Sequence, residues 1–282
     1  MSNNLLKKHA KSFYWASFFL SKETFNKCSS LYNFCRTLDD IVDGDSQLEV
    51  KKENFLKFKN NFLNKDLNNQ IINEMWSIID SEKISEKIVI DLFDGVETDL
   101  KEKVQINSKK ELLIYSYKVA GTVGLMMSKI LKVKDKEALK GAVDLGIAMQ
   151  LTNIARDVRE DKGRNRQYIK PDFYAIRETI NDSQVFYQKS FNSISSIPLR
   201  SRFSVILARR VYKKIGDYIL KQKNTKNYNK AGKIYVPIFG KIIQTFFSIF
   251  DFIKLLFVKQ IIYDNHINHS IVEKEVNLNE RI

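Results

Sequence analysis

Two segments of the chain each close on a pair of aspartates four residues apart. They are Arg36-Thr-Leu-Asp39-Asp40-Ile-Val-Asp43 and Gln150-Leu-Thr-Asn153-Ile-Ala-Arg156-Asp157-Val-Arg-Glu160-Asp161. In an α-helix, residues four apart stack on one face, so Asp39 sits over Asp43 and Asp157 over Asp161. At 100° per residue, Gln150, Asn153, Asp157 and Asp161 fall within a stripe about 80° wide. Tyr32, Arg36, Asp39 and Asp43 make a similarly narrow one. Stacked carboxylates repel and call for a compensating cation. One such pair alone would ordinarily be a solvated helix face. Here apolar residues flank both pairs (Leu38, Ile41 and Val42; Ile154, Ala155 and Val158), and Gln150 and Asn153 interrupt the apolar run from Gly146 to Ala155. Polar groups in such a run are costly to bury without partners.

The rest of the pattern is also helical. Helices are expected over 22–43, 50–64, 70–80, 85–103, 109–131, 135–161, 182–194, 199–222 and 238–262. Ser108-Lys-Lys-Glu111 reads as a capping box. Gly163 to Pro171 reads as a loop, with Pro171 placed to open the next helix in its first turn. The chain has 10 Gly and 3 Pro in 282 residues, too few for the many tight turns of an all-β protein. No linker composition appears, so one all-α domain over 1–282 is expected.

Charge and cysteine content narrow the setting. The net charge is +14, from 47 Lys+Arg against 33 Asp+Glu, which points to an anionic partner or to a general lysine bias. No nucleic-acid-binding motif accompanies it, and an acidic cavity would oppose such a role. Cys28 and Cys35 form no CxxC pair and have no nearby His, so free thiols in a reducing cytoplasm are expected. There is no signal-peptide pattern and no run of 18 uncharged apolar residues.

Paired carboxylates on two facing helices suit a diphosphate leaving group. Mg²⁺ accepts one or two carboxylates together with waters and substrate phosphates. Bridging ions would stabilise the departing oxygens, and the cation left behind needs an apolar, water-free cavity. Arg36 and Arg156 are candidate diphosphate contacts, or ion pairs of the neighbouring acids.

Four segments carry a resemblance to a known family: Lys11-Ser-Phe-Tyr14; Leu31 through Asp43; Tyr115-Ser-Tyr-Lys-Val-Ala-Gly-Thr-Val-Gly-Leu-Met-Met127; and Gln150 through Asp161. The chain resembles the head-to-head trans-prenyltransferases, which include phytoene, dehydrosqualene and squalene synthases. The resemblance covers about 9–222. It implies an all-α isoprenoid synthase fold around a central cavity, with Asp39, Asp43, Asp157 and Asp161 holding Mg²⁺ (Mn²⁺ as the alternative ion) and diphosphate. Arg36 and Arg156 would bind phosphate oxygens. Ser12, Phe13, Tyr32, Gln150 and Asn153 would line the substrate site, and Tyr115 would sit near the carbocation. Tyr212, in Ala208-Arg-Arg-Val-Tyr212, resembles a family tyrosine near the diphosphate. The small residues of Ala120-Gly-Thr-Val-Gly124 would leave room for prenyl tails, whose depth Phe13, Val119, Val123 and Met127 would set. Where family members often carry an arginine, this chain has Lys233, which keeps the charge without the bidentate fork.

The implied activity joins two geranylgeranyl diphosphates through a cyclopropyl diphosphate to phytoene, the first step of carotenoid biosynthesis, with no nicotinamide. The alternatives are a C30 enzyme using farnesyl diphosphate and a non-catalytic assembly relative. Finally, the aromatic-rich stretch 238–262 is interrupted by Lys241, Asp251, Lys254 and Lys259. It reads either as a core helix or as a helix lying on the inner face of a membrane.

Overall fold

The computed structural model describes residues 11–258 and 260–282. Within them the chain is almost wholly helical: α1 Lys11–Ser17, α2 Lys22–Asp43, α3 Leu48–Leu63, α4 Gln70–Glu82, α5 Glu86–Glu97 and α6 Lys109–Ser116 come first. A single π-helical turn, Tyr117–Gly121, joins α6 to α7, Thr122–Ile130. Then follow α8 Lys136–Gly163, α9 Phe173–Lys189, α10 Leu199–Leu220, α11 Thr225–Ala231, α12 Ile238–Leu256 and α13 Ile267–Val276. Two short strands, β1 Val104–Gln105 and β2 Arg166–Gln167, pair in parallel.

Local chemistry sets the ends of the site-bearing helices. Ser21 Oγ accepts from the Thr24 amide at the start of α2, and Asp135 accepts from the Ala138 amide at the start of α8. The capping box before α6 forms in a shifted way. Ser108 Oγ accepts from Glu111 N, but the Glu111 carboxylate turns to the Asn107 amide. Asp172 caps α9, so the helix begins nine residues earlier than expected and Pro171 stands just outside its first turn. The face Ile176, Thr179, Ile180, Ser183, Phe186 and Tyr187 is buried, and that 3–4 spacing carries the helix back to the cap. The helix expected over 85–103 stops at Glu97, freeing Asp99 into a turn.

One side of the core is aromatic. Phe34 of α2 meets Phe58 and Phe62 of α3 and Phe93 of α5, with ring centroids 5.4–5.9 Å apart, and the Trp76 indole donates to the Phe62 carbonyl at 3.0 Å. This anchors α2 from behind. Helix α8 is the central post, packed against α6, the π-turn, α7, α9 and α10. Its approach to α7 and to the π-turn depends on two glycines. A Cβ on Gly124 would stand 2.3 Å from the Ala142 carbonyl oxygen, and one on Gly146 would stand 2.2 Å from that of Ala120.

The C-terminal aromatic helix does not bury its aromatic face. Along α12 the buried residues are Gly240, Gln244, Ser248 and Leu255, whereas Phe239, Phe246, Phe247, Phe250 and their Ile neighbours point outward. It is inverted relative to a core helix. Arg210 holds its inner face through Gln244 (3.2 Å) and Asp251 (2.6 Å). No helix among the described residues is long and apolar enough to cross a membrane.

Candidate active site

Helices α2 and α8 form two walls of a cavity of ≈ 320 Å³, closed elsewhere by α1, α7, the turn at 192–196 and α10. Phe13, Tyr32, Val119, Val123, Met127, Gln150, Asn153 and Tyr212 all line it. The walls are overwhelmingly apolar, and Ala138, Gly141, Ala142 and Gly146 present a small-residue surface along α8. Cys28 and Cys35 are free thiols on the α2 wall. Burial pushes the Cys28 thiol up to about 12, and Cys28 lies 3.3 Å from Met127 Sδ. Burial likewise pushes Tyr32 up to about 12. Phe13 and Tyr212 rings meet at 4.9 Å.

The four aspartates are not among the lining residues; Asp39 and Asp157 stand one helical turn beyond Cys35 and Asn153, the last lining residues of α2 and α8. Asp39 is pushed up to about 7, first by loss of solvation, then by the Asp43 charge. Its carboxylate still touches water, as a group inside a cleft does, so solvent relieves part of that rise. Asp161 is pushed up to about 7 by burial and then by Asp157. The other member of each pair is ion-paired. Asp43 accepts from Arg166 at 2.6 Å and from Arg164 at 3.0 Å. Asp157 is held by Arg156 at 2.5 and 2.9 Å, with Lys233 at 3.6 Å. Lys233 also pairs with Glu160 at 2.6 Å, which brings it to the second acidic helix.

Arg36 pairs with Asp40 at 2.6 Å, while its Nε is buried without a partner. Asn153 Oδ1 is likewise buried and unpartnered at the cavity wall. Such atoms are expensive to leave unmet, so both are suited to a polar ligand.

Tyr115 and Ser12 stand apart from the cavity lining. The Tyr115 hydroxyl donates to Asp99 Oδ2 at 2.8 Å, and Tyr168 donates to Asp99 Oδ1 at 2.7 Å. Their rings stack at 4.8 Å. The Tyr115 hydroxyl is thus turned toward Asp99, whose charge contributes to the raised affinity for protons of both Asp39 and Asp161. Burial raises Asp99 itself, opposed by Arg166.

Sequence reasoning missed Asp99, Arg164, Arg166 and Tyr168. The β1–β2 bridge explains their arrival, since it fastens 166–167 beside the connection that follows Asp99. The available signal was the density of Arg164, Arg166 and Tyr168 immediately after the second acidic pair, in a segment read only as loop.

The sequence profile of the squalene/phytoene synthase family matches residues 6–175, more than half of the chain. The chain is 28% identical over 257 residues to the 15-cis-phytoene synthase of Pantoea ananas, covering 77% of this chain and 83% of that one. It is also 28% identical to the phytoene synthase of Cereibacter sphaeroides, over 76% of this chain and 70% of the relative. Its fold is similar to that of a dehydrosqualene synthase solved in complex with a ligand, with TM-score 0.70 and 25% identity over 86% of this chain and 92% of the other. A squalene synthase from Alicyclobacillus acidocaldarius shares the fold at TM-score 0.63 and 18% identity, over 77% and 91% of the two chains. The chain belongs to the squalene/phytoene synthase family.

Proposed function

We propose that the chain condenses two geranylgeranyl diphosphates head to head, through a cyclopropyl diphosphate, to phytoene. The observation that carries this reading is the joining of two DxxxD stripes to one end of an apolar, small-residue-lined cavity of ≈ 320 Å³. The phytoene synthase names of the relatives support the substrate and the product.

The carboxylates suit Mg²⁺. Asp39 and Asp161 each crowd a like charge and form no ion pair among the described residues, and the nearby Arg36 Nε and Asn153 Oδ1 await polar partners. Asp39 and Asp43 would hold ions on one side, Asp157 and Asp161 on the other. When bound, Mg²⁺ supplies charge neutralisation to the leaving diphosphate oxygens. Arg36, Arg156 and Lys233 reinforce that neutralisation from the protein. Arg166 and Arg164 hold and orient the Asp43 carboxylate. Asp99, fixed by Tyr115 and Tyr168, sets the field between the two pairs.

The remaining walls exclude water and hold the tails. Tyr32, Phe13 and Tyr212 place π-faces near the polar end, where positive charge would develop on carbon. With water and hydride both kept out, a rearranged cation ends by losing a proton, giving a conjugated triene. No nicotinamide enters this scheme. The farnesyl-using C30 reaction is a second reading, favoured by the likeness to the dehydrosqualene synthase structure. The outward aromatic face of α12, on a chain of net charge +14, would rest on an anionic lipid surface, convenient for a hydrocarbon product.

Purified protein given equal amounts of geranylgeranyl and farnesyl diphosphate with Mg²⁺ tests the proposal. A C40 triene unaffected by NADPH is expected. Predominant C30 product would move the substrate assignment, and an NADPH-dependent saturated centre would overturn the reaction assignment.

A further inference from the structure

A second polar cluster lies on the far side of α8 from the active-site acids. Asp144, fully buried in the middle of α8, accepts from Tyr263, from His266 Nε2 at 3.2 Å and from His269 Nδ1 at 2.7 Å. The chain has only three histidines, so two of them meeting on one buried carboxylate does not reflect a common residue type. His266 stands at the N-cap position of α13 and His269 one turn along it, which puts both rings on one face. The Tyr263 ring lies 4.6 Å from His269, and Phe186 meets His266 edge-on at 4.7 Å, so the cluster is roofed by aromatic rings.

The charge balance of this cluster is unusual. Among the described residues, the two imidazoles are the only ion-pair partners of Asp144; no lysine or arginine reaches it. A carboxylate taken wholly out of water requires a compensating cation. The second nitrogen of each ring, His266 Nδ1 and His269 Nε2, is buried with no partner, so neither tautomer is fixed from behind. Each ring can therefore shift its proton to the outer nitrogen and present a lone pair to an ion held by the carboxylate.

We infer that Asp144, His266 and His269 form a structural site for a divalent transition ion, Zn²⁺, with the Tyr263 oxygen as the fourth neighbour. The donor set decides the class of metal: imidazole nitrogen with a single carboxylate suits zinc, whereas Mg²⁺ and Ca²⁺ take oxygen ligands. One ligand atom from each of the three residues lies within 4.8 Å of the others. Tetrahedral zinc, with bonds of about 2.0–2.2 Å, separates its ligands by roughly 3.4 Å, so a small spreading of these contacts admits the ion. The site is closed, with no position open to a substrate, and so it holds structure. What it holds is the C-terminal segment, stapled to α8 between Ala142 and Gly146, two residues of the cavity wall. The missing outer hydrogen bonds on both rings should weaken the affinity by roughly 10–100-fold relative to a fully supported site.

The test uses the full-length protein, stripped with chelator and titrated with Co²⁺ in excess Mg²⁺. One equivalent of Co²⁺ should give the strong visible absorption of tetrahedral nitrogen–oxygen ligation. Zn²⁺ should displace it and raise the melting temperature of the stripped chain. Oxygen ligation by the DxxxD pairs alone would be six-coordinate and only weakly absorbing, which keeps the two sites distinguishable. Asp144→Asn, His266→Gln and His269→Gln should each abolish or strongly reduce the band. A wild-type protein lacking the band would overturn the site, as would a band surviving unchanged in all three variants. If a variant does not fold, X-ray absorption on the cobalt form of the wild type decides: two imidazoles support the site, and none overturns it.

Discussion

Arg166 donates to Asp43 at 2.6 Å, joining the strap after the second acidic helix to the last carboxylate of the first. The two residues are 123 positions apart, and the same guanidinium reaches the Val42 carbonyl at 3.4 Å. The contact lets α2 and α8 keep their acidic ends in register across a cavity that prevents them from packing directly.

A stability contrast follows. Arg166 is buried while Arg164, on the same carboxylate, is about half exposed. Arg166→Gln should cost about 2 kcal/mol, the scale of lost charged hydrogen bonds at a buried site. Arg164→Gln should cost less than about 1 kcal/mol, as exposed ion pairs do. Urea unfolding of the two variants measures both, and equal losses would contradict the assigned roles.

The close approach of α7 to α8 gives a second contrast. At Gly124 the obstacle to a Cβ is backbone, which cannot step aside. Gly124→Ala should destabilise by about 1–3 kcal/mol. At Gly163, the last residue of α8, nothing lies within 4 Å, and alanine should stabilise by up to about 1 kcal/mol. Thermal melts of both variants check the difference in sign.

These contrasts show where the sequence was informative. The acidic stripes, the α2 and α8 boundaries and the apolar wall residues were legible because helical spacing is local and the stripes run through otherwise apolar faces. The Asp99–Tyr115–Tyr168 cluster was not, because its members lie 16 to 69 residues apart and meet only through the β1–β2 bridge. The composition of α12 left its burial open, since a helix rich in Phe and Ile fits either a core or a lipid surface. Its inward Gly240, Gln244 and Ser248 needed Arg210, from another helix, to reveal which face was inside. Helix α13 was missed because its buried face, Asn268, His269, Val272 and Val276, is half polar and gives only a short apolar pattern.

Tail length should respond to the α8 wall. Ala142→Phe places a ring in the cavity and should reduce turnover of geranylgeranyl diphosphate more than that of farnesyl diphosphate. Steady-state kinetics with each substrate gives the ratio; an unchanged ratio would remove this wall from specificity.

The α12 face should govern lipid binding. Phe246, Phe247, Phe250 and Phe257 are 45–77% exposed, so replacing all four with Ser should leave the melting temperature nearly unchanged. Sedimentation with anionic liposomes should be lost in the variant and weakened by salt in the wild type. Unfolding of the variant would mean that the face is structural.

The central claim is that the two acidic stripes jointly ionise the diphosphate. Its most direct test is single-turnover release of diphosphate by Asp39→Asn and Asp157→Asn at saturating Mg²⁺, beside a melt of each protein. Each substitution removes one charge and keeps the shape. The account predicts a rate loss of roughly 100-fold or more in both, with melting temperatures at or above wild type for Asp39→Asn, since that carboxylate is crowded by Asp43. Release at near wild-type rate in both variants would contradict it.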